Sequence, residues 1–463
     1  MQRRTAALVV ACAGGYLAFL DTSIVNTAFP DVQASFDDAG RAELSWVLDA
    51  YFIVLAALLV PAGALADRLG RKRVFLWGVG AFVLTSIACG LAPSWETLVA
   101  ARVLQGAAAA VIAPVSLALV LPEFAREQRA TAVGIWGAAA AFAAATGPPL
   151  GGLVVEVADW RWIFLVNVPL GGLVLLAGAR ALRESKDEAM AGLPDLAGAG
   201  LSVLGLGLLA LGIVEGESWG WTSAGVLGSL GGALVALAAV ARRCTTHPRP
   251  VVDPALMAIR SFRVANVGTL LFAAAFFSTI LGNILFLTSV WGYSVLDAGL
   301  ATVPGPLVSA IVAGPAGRLA DRVGHRAVIV PGTIAYAAGL LVLRSAGAEP
   351  DYVGTWLPGM LLVGVGIGLA FPTLGAAAVA DVEPDRFGAA SAVASAFRQI
   401  GAVLGTAILV AIVGDPRSLA EALAHADDAY AFAVAASLAS GVVALLLRPA
   451  PAGRAPAAAP APA

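Results

Sequence analysis

GALADRLGRKR, Gly63–Arg73, occurs a second time as GRLADRVGHRA, Gly317–Ala327, and this pair decides how the chain is organised. Gly, Leu, Ala, Asp, Arg and Gly coincide at a single offset of 254 residues. Each copy follows the second apolar run of a group of six. Basic loops are common in membrane proteins, because Lys and Arg mark the cytoplasmic side. That rule explains the arginines but neither the shared Asp nor the shared glycines, so the match reads as an internal duplication. A weaker echo supports it: RVLQGAAAAVIAP at 102–114 aligns with MLLVGVGIGLAFP at 360–372, with a Gly and a Pro in register.

The runs around these loops are apolar. The 463 residues are 59% hydrophobic and 13% charged, whereas a soluble domain is about 45–50% apolar and about 25% charged. Many runs are long enough to cross a hydrocarbon core of roughly 30 Å. The fold class is therefore an all-α polytopic membrane protein. Fourteen transmembrane helices are predicted, near 6–27, 45–65, 74–92, 97–121, 131–155, 161–182, 196–214, 223–241, 264–288, 298–317, 327–343, 355–376, 388–413 and 430–447. They divide into a six-helix bundle over 1–183, two additional helices with their linkers over 184–263, and a second six-helix bundle over 264–448. The Pro/Ala-rich tail at 449–463 lacks apolar surface to pack and is expected to be disordered. The amino-terminal apolar run continues to about Leu20 without a clear cleavage site, so an uncleaved first helix is expected.

The distribution of charge tests this count. With the amino terminus inside, twenty-two Lys and Arg residues fall on the inner side. Only Arg41, Arg161, Arg344 and Arg417 fall on the outer side. One missed helix would scramble that bias, so both termini are expected to be cytoplasmic. The outer loops are acidic instead, with Asp31, Asp37, Asp38, Glu43, Glu215, Glu217, Asp427 and Asp428. The net charge of −2 suggests no nucleic-acid partner, and Cys12, Cys89 and Cys244 are too scattered for a disulfide framework or a metal site. No G-x-x-x-x-G-K-[ST] segment surrounds either lysine, Lys72 or Lys186, so ATP hydrolysis by a P-loop is excluded. No catalytic set is visible, and an enzyme is not expected.

Four charges are embedded at membrane depth, where each costs about 2.5–3.5 kcal/mol on insertion scales. At 1.5 Å per residue, Asp21, Asp49 and Arg102 lie in the same outer third to half of the membrane. Arg102 is expected to pair with Asp21, Asp49 or both. Gln105, one turn from Arg102, is placed either to orient it or to hydrogen-bond a substrate. Arg398 is the other embedded cation, open to a carboxylate, an anionic substrate group or a packing role. Asn26 and Asn283 join Gln105 and Arg398 as cavity candidates, and Trp46, Tyr51, Phe142, Phe272, Phe276 and Phe277 are candidate lining aromatics.

These residues carry a family resemblance. Gly63–Arg73 resembles the signature between helices 2 and 3 of the major facilitator superfamily, and Arg102-x-x-Gln105-Gly106 resembles its helix-4 motif. Gly147-Pro148-Pro149-Leu150-Gly151-Gly152 is similar to the helix-5 motif associated with exporters. Leu20–Asn26 and Asp159–Pro169 look like the fourteen-helix drug:proton antiporter branch. The pattern departs at Ala108, where a second glycine is usual, and at Met360 and Val363, which replace Arg102 and Gln105 in the second half. The resemblance implies proton coupling by Asp21, Asp49 and Arg102. It also implies a cytoplasmic gating loop made of Gly63, Asp67, Arg68, Gly70, Arg71 and Arg73, mirrored by Asp321 and Arg322, that joins the halves in the outward-open state. Gly147, Pro148, Gly151 and Gly152 would let helix 5 bend and pack closely.

The sequence thus reads as a proton-coupled secondary transporter of the cytoplasmic membrane, exporting small hydrophobic or cationic drugs by alternating access. Its partners would be the substrate, protons and lipid; it needs no cofactor or metal and would work as a monomer. Export of a lipid or an endogenous metabolite is the alternative, with a membrane scaffold or sensor behind it.

Overall fold

The computed structural model describes residues 3–36, 39–120, 123–124, 129–186, 194–383 and 386–448. The tail at 449–463, together with Asp37, Asp38 and Arg126, lies outside the described residues. In chain order the helices are α1 Arg3–Ala34, α2 Arg41–Leu69, α3 Arg71–Gly90, α4 Trp95–Val120, α5 Arg129–Val157, α6 Trp162–Leu165, α7 Asn167–Ala181, α8 Leu196–Val214 and α9 Gly216–Trp219. They continue as α10 Ala224–Thr246, α11 Pro254–Ala258, α12 Arg260–Ser289, α13 Val295–Thr302, α14 Pro304–Val323, α15 His325–Arg344, α16 Leu357–Val379, α17 Phe387–Val413 and α18 Leu419–Ala444.

Among the described residues, thirteen segments are long and apolar enough to cross a membrane, against the fourteen expected. The difference lies at α18. Its 26 residues are long enough, but Glu421, Asp427 and Asp428 occupy its first half and lower its hydropathy. Two expected spans are interrupted. One breaks between α6 and α7, ahead of Pro169, and the other between α13 and α14 at Val303, ahead of Pro304. Each break falls within three residues of a proline, which has no N–H to donate to the preceding turn; other prolines, such as Pro61 and Pro114, are carried inside continuous helices. Several helices also extend beyond the expected ends. Asp31 and Glu43 therefore sit near helix ends, and Asp427 and Asp428 inside α18, rather than in loops.

Two large apolar clusters hold the chain together. One is built mostly before Val214, around Phe29, Phe52, Phe75, Phe82 and Trp160, and is joined by Phe277, Leu281 and Leu409. The other runs from Leu256 to Leu447, around Phe272, Tyr336 and Trp356. The duplicated loops share a backbone feature. Gly70 (φ 112°) separates α2 from α3, and Gly324 (φ 89°) separates α14 from α15. A side chain rarely adopts these angles, which explains the last glycine of both copies.

The two additional helices α8 and α10 pack on each other and are pinned at one end by Asp195. Its carboxylate caps α8, accepting from Gly198 N at 2.8 Å, and it is gripped by Arg243 of α10, with Nη2 at 2.6 Å and Nε at 3.1 Å. The Arg243 hydrogen bonds, assisted by the cap, hold the Asp195 carboxyl below its ordinary range. The stability it adds is therefore fully present above about pH 4 and lost as pH falls through the depressed folded value. Asp195→Ala is expected to remove a cap contribution of about 1 kcal/mol and to flatten that acid limb. A thermal midpoint recorded from pH 3 to pH 7 that keeps the wild-type slope would overturn this assignment.

Candidate functional site

The site is a polar knot at the centre of the first helices. Arg102 is fully buried, as are Asp21, Ser86, Gln105 and Asn167. Arg102 Nη1 donates to Asp21 Oδ2 at 2.6 Å and to Gln105 Oε1 at 2.7 Å, and Arg102 Nε donates to the Val47 carbonyl at 2.8 Å. Gln105 Nε2 donates to Asp21 Oδ1 at 3.0 Å and to Ser86 Oγ at 2.7 Å. Asn167 Nδ2 completes the ring, with Asp21 Oδ1 at 3.1 Å and Ser86 Oγ at 3.3 Å. The guanidinium lies 4.1 Å from the Tyr51 ring centroid and 5.7 Å from that of Phe164. Five helices, α1, α2, α3, α4 and α7, converge here. A buried pair needs further hydrogen bonds to its remaining lone pairs and protons; Gln105 and Asn167 supply them to Asp21, while Arg102 Nη2 and Asn167 Oδ1 have no partner among the described residues.

The pairing selects one of the expected alternatives. Arg102 meets Asp21 and not Asp49. Asp49 is also fully buried, yet both of its carboxylate oxygens lack a hydrogen-bond partner among the described residues. The cause is the rotation of α2, which turns the Val47 carbonyl toward Arg102. Asp49 is thus no wet helix end. Three residues further along α2, Phe52 packs edge-to-face on Phe277 of α12 at 5.2 Å, so Asp49 rides on a helix that touches the second half.

The other candidates separate. Asn26 Nδ2 is spent on the Thr22 carbonyl of its own helix at 2.7 Å, and Asn26 does not join the knot. Asn283 lies in the second half, where it accepts from Tyr430 OH at 2.9 Å and donates to Met360 Sδ at 3.5 Å. Where the first half carries Arg102, the second half therefore has an uncharged contact. Arg398 is half-buried, with its Cζ 5.9 Å from the Phe19 ring centroid. Of the candidate aromatics, Tyr51 lies against Arg102, and Phe272, Phe276 and Phe277 build an aromatic cluster with Phe371 and Tyr336. Trp46 is half-buried against the first apolar cluster, and Phe142 is exposed.

The loop at 63–73 bonds differently from the expected latch. Asp67 pairs with Arg71 Nε at 2.7 Å, and Arg71 Nη1 reaches the Ala118 carbonyl at 3.5 Å. The carboxylate at the start of α3 is Glu184, which accepts from Lys72 N at 3.1 Å and Arg73 N at 3.2 Å. A negative group at a helix amino terminus is favourable, and Glu184 takes that place because Asp67 ends α2 instead of starting α3. Among the described residues, Asp67, Arg71, Lys72 and Arg73 bond only within the first half. Arg68 is exposed and in no ion pair among them. Asp321 and Arg322 are exposed and likewise in no ion pair among the described residues.

The halves meet at the opposite end. Gly147 and Gly151 of α5 face Ser23, Ile24 and Thr27 of α1, and Gly152 faces the backbone of Leu296 in α13. The Pro148 carbonyl abuts Gly299. Nearby, Arg41 Nη1 at the start of α2 donates to the Gly414 carbonyl beyond α17. Sequence reasoning missed Asn167, Ser86 and Glu184. Only Asn167 carried a signal, as a polar residue at membrane depth ahead of Pro169.

Comparisons with known proteins agree with this architecture. The profile of the Major Facilitator Superfamily matches residues 11–195, 195–406 and 267–463. The multidrug resistance protein Stp of Mycobacterium tuberculosis is 37% identical over 88% of this chain and 75% of its own length. The cephamycin export protein CmcT of Amycolatopsis lactamdurans is 36% identical over 97% of this chain and 94% of its own. The methylenomycin A resistance protein of Streptomyces coelicolor is 34% identical over 87% and 84%. Among solved structures, the D-xylose-proton symporter superposes with a TM-score of 0.66 at 13% identity, covering 95% of this chain and 97% of that one. A bacterial homolog of the lysosomal transporter Spinster, in an inward-facing conformation, gives 0.64 at 15% identity, covering 96% and 98%.

Proposed function

The chain belongs to the Major Facilitator Superfamily, and from that premise we propose that it exports small, largely apolar antibiotic-like molecules by alternating access driven by protons. Relatives named for multidrug resistance, cephamycin export and methylenomycin A resistance support the export of antibiotics. The site lies within the first half, which packs on the second at one end through α5 and α13. With both termini cytoplasmic, that end is the outer one, and the conformation is inward-open.

One observation carries the proton coupling: two fully buried carboxylates stand in opposite surroundings. Asp21 faces the Arg102 guanidinium at 2.6 Å and accepts from Gln105 and Asn167 as well. Asp49 has nothing to pair with, and an unpaired buried charge is prohibitively expensive, so its neutral, proton-bearing form is accommodated. Asp49 carries the transported proton, and Asp21 with Arg102 fixes the helices around it. Since α2 touches the second half through Phe52 and Phe277, rocking of the halves changes the surroundings of Asp49 and releases the proton inward. Substrate would be taken up from the same, inner side.

The test is transport in proteoliposomes with an imposed proton gradient. One proton moved through 100 mV is worth about 2.3 kcal/mol, roughly a fiftyfold concentration ratio. Asp49→Asn is expected to lower gradient-driven accumulation of an exported antibiotic by about that factor. Exchange of labelled for unlabelled substrate without a gradient should survive. Full coupled accumulation by Asp49→Asn would remove the proton from this residue.

A further inference from the structure

Arg398 is a membrane-depth cation that the polar knot does not use. It stands near the middle of the 27-residue α17, about 16 Å from that helix's start at 1.5 Å per residue. A guanidinium at that depth is costly and ordinarily pairs with a carboxylate or lines a path. Among the described residues Arg398 makes neither an ion pair nor a hydrogen bond. Asp21 is taken by Arg102, and fully buried Asp49 makes no hydrogen bond to Arg398. The position therefore holds an uncompensated positive charge.

What Arg398 does face is aromatic and belongs to the other half. The Phe19 ring of α1 lies 5.9 Å from its Cζ. Phe19 in turn stacks edge-on against Trp136 of α5 at 6.1 Å, and Trp136 is anchored by its Nε1 to Ser116 Oγ at 3.0 Å. Arg398, Phe19 and Trp136 are all partly accessible, and the cation and the two rings come from opposite halves of the chain. A cation–π contact is worth about 0.5–1 kcal/mol at an exposed site, too little to offset the burial of the charge. The planar guanidinium presents a fork suited to carboxylate, sulfonate or phosphate oxygens, while two anchored rings offer faces to an apolar body.

We propose that Arg398, with Phe19 and Trp136, binds the acidic group and the ring of an aromatic amphiphilic anion, so that the exported molecules are organic anions. This rests on the exporter reading and differs from the hydrophobic or cationic drugs expected from the sequence. Gln399, Thr373 and Thr406 in the second half also carry buried oxygens with no partner among the described residues, but no aromatic pair adjoins them in the same way.

The test uses three probes that share one ring and differ in charge: naphthalenesulfonate, naphthamide and naphthyltrimethylammonium. The full-length protein is reconstituted in phosphatidylcholine vesicles, which keeps an anionic lipid headgroup from occupying Arg398. A second set containing phosphatidylglycerol shows whether such a headgroup competes. Under a proton gradient the sulfonate is expected to accumulate at least tenfold more than the ammonium probe. Arg398→Gln should lose that preference, and Arg398→Lys should retain part of it. Gel filtration and exchange of the neutral probe establish that the variants are folded. Accumulation of the ammonium probe in preference to the sulfonate overturns the inference and leaves the exporter reading standing, as does an unchanged preference in Arg398→Gln. Phosphatidylglycerol that abolishes sulfonate transport supports an anion site at Arg398 open to lipid headgroups. Failure of all three probes to move, together with every antibiotic of the previous experiment, overturns the exporter reading and the inference with it.

Discussion

Arg102→Met is expected to abolish coupled transport and to destabilise the protein by about 3–5 kcal/mol, the range for breaking a buried ion pair by removing one partner. The guanidinium is fully buried and serves Asp21, Gln105 and the Val47 carbonyl at once. Removing it strands the Asp21 carboxylate with only two amide donors, Gln105 Nε2 and Asn167 Nδ2. The double variant Asp21→Asn with Arg102→Met has no charge to strand, so most of the lost stability should return while transport stays absent. Thermal unfolding of the purified protein in detergent reads the first quantity, and gradient-driven accumulation in proteoliposomes reads the second. A single variant as stable as the parent would mean that the pair is not what organises these five helices. Equal instability of the single and double variants would point to lost packing against Tyr51 and Phe164 instead of a stranded charge.

Gly152→Val is expected to have the second largest effect, through conformation instead of charge. A Cβ at Gly152 would lie 2.5 Å from Leu296 Cα and 2.8 Å from the Val295 carbonyl oxygen. Both are backbone atoms, which cannot turn aside as a flexible side chain can. Overpacking of this kind costs about 1–3 kcal/mol, roughly a five- to hundredfold shift away from the state in which α5 and α13 touch. Spin labels at Val157 and Leu300, both exposed, report the separation of these helix ends. The variant should show a longer distance in most molecules and slower transport. A distance distribution identical to the parent's would show that the close approach does not control the closed end.

The membrane fold was largely legible because hydropathy acts over about twenty residues and needs no partner. The span at 196–214 coincides with α8, and the expected pair of Arg102 with a carboxylate followed from counting helical rise. What failed was local or rotational. Two spans carry a one-residue interruption, at Val166 and Val303, within their expected length. The acids of α18 belong to the helix, which begins near Leu419 and not near 430. The latch across the halves belongs to the outward-open state; in this conformation Asp67 makes an i,i+4 pair with Arg71, and Glu184 arrives from far along the chain.

By itself, then, the sequence determined that the chain spans a membrane many times, that it repeats one loop, and that Asp21, Asp49, Arg102 and Arg398 lie at membrane depth. Those properties follow from the transfer of apolar residues to lipid and from a fixed rise per residue, both of which are additive along a single helix. Tertiary structure alone decided which charge meets which. Arg102 reaches Asp21 and leaves Asp49 unpaired because the rotation of α2 presents the Val47 carbonyl there. Asn167 and Ser86 close the ring because α7 packs against both α1 and α3. Arg398 faces Phe19 because α17 crosses to the other half. Rotation about a helix axis is set by the packing of all neighbours together, and no single segment encodes it.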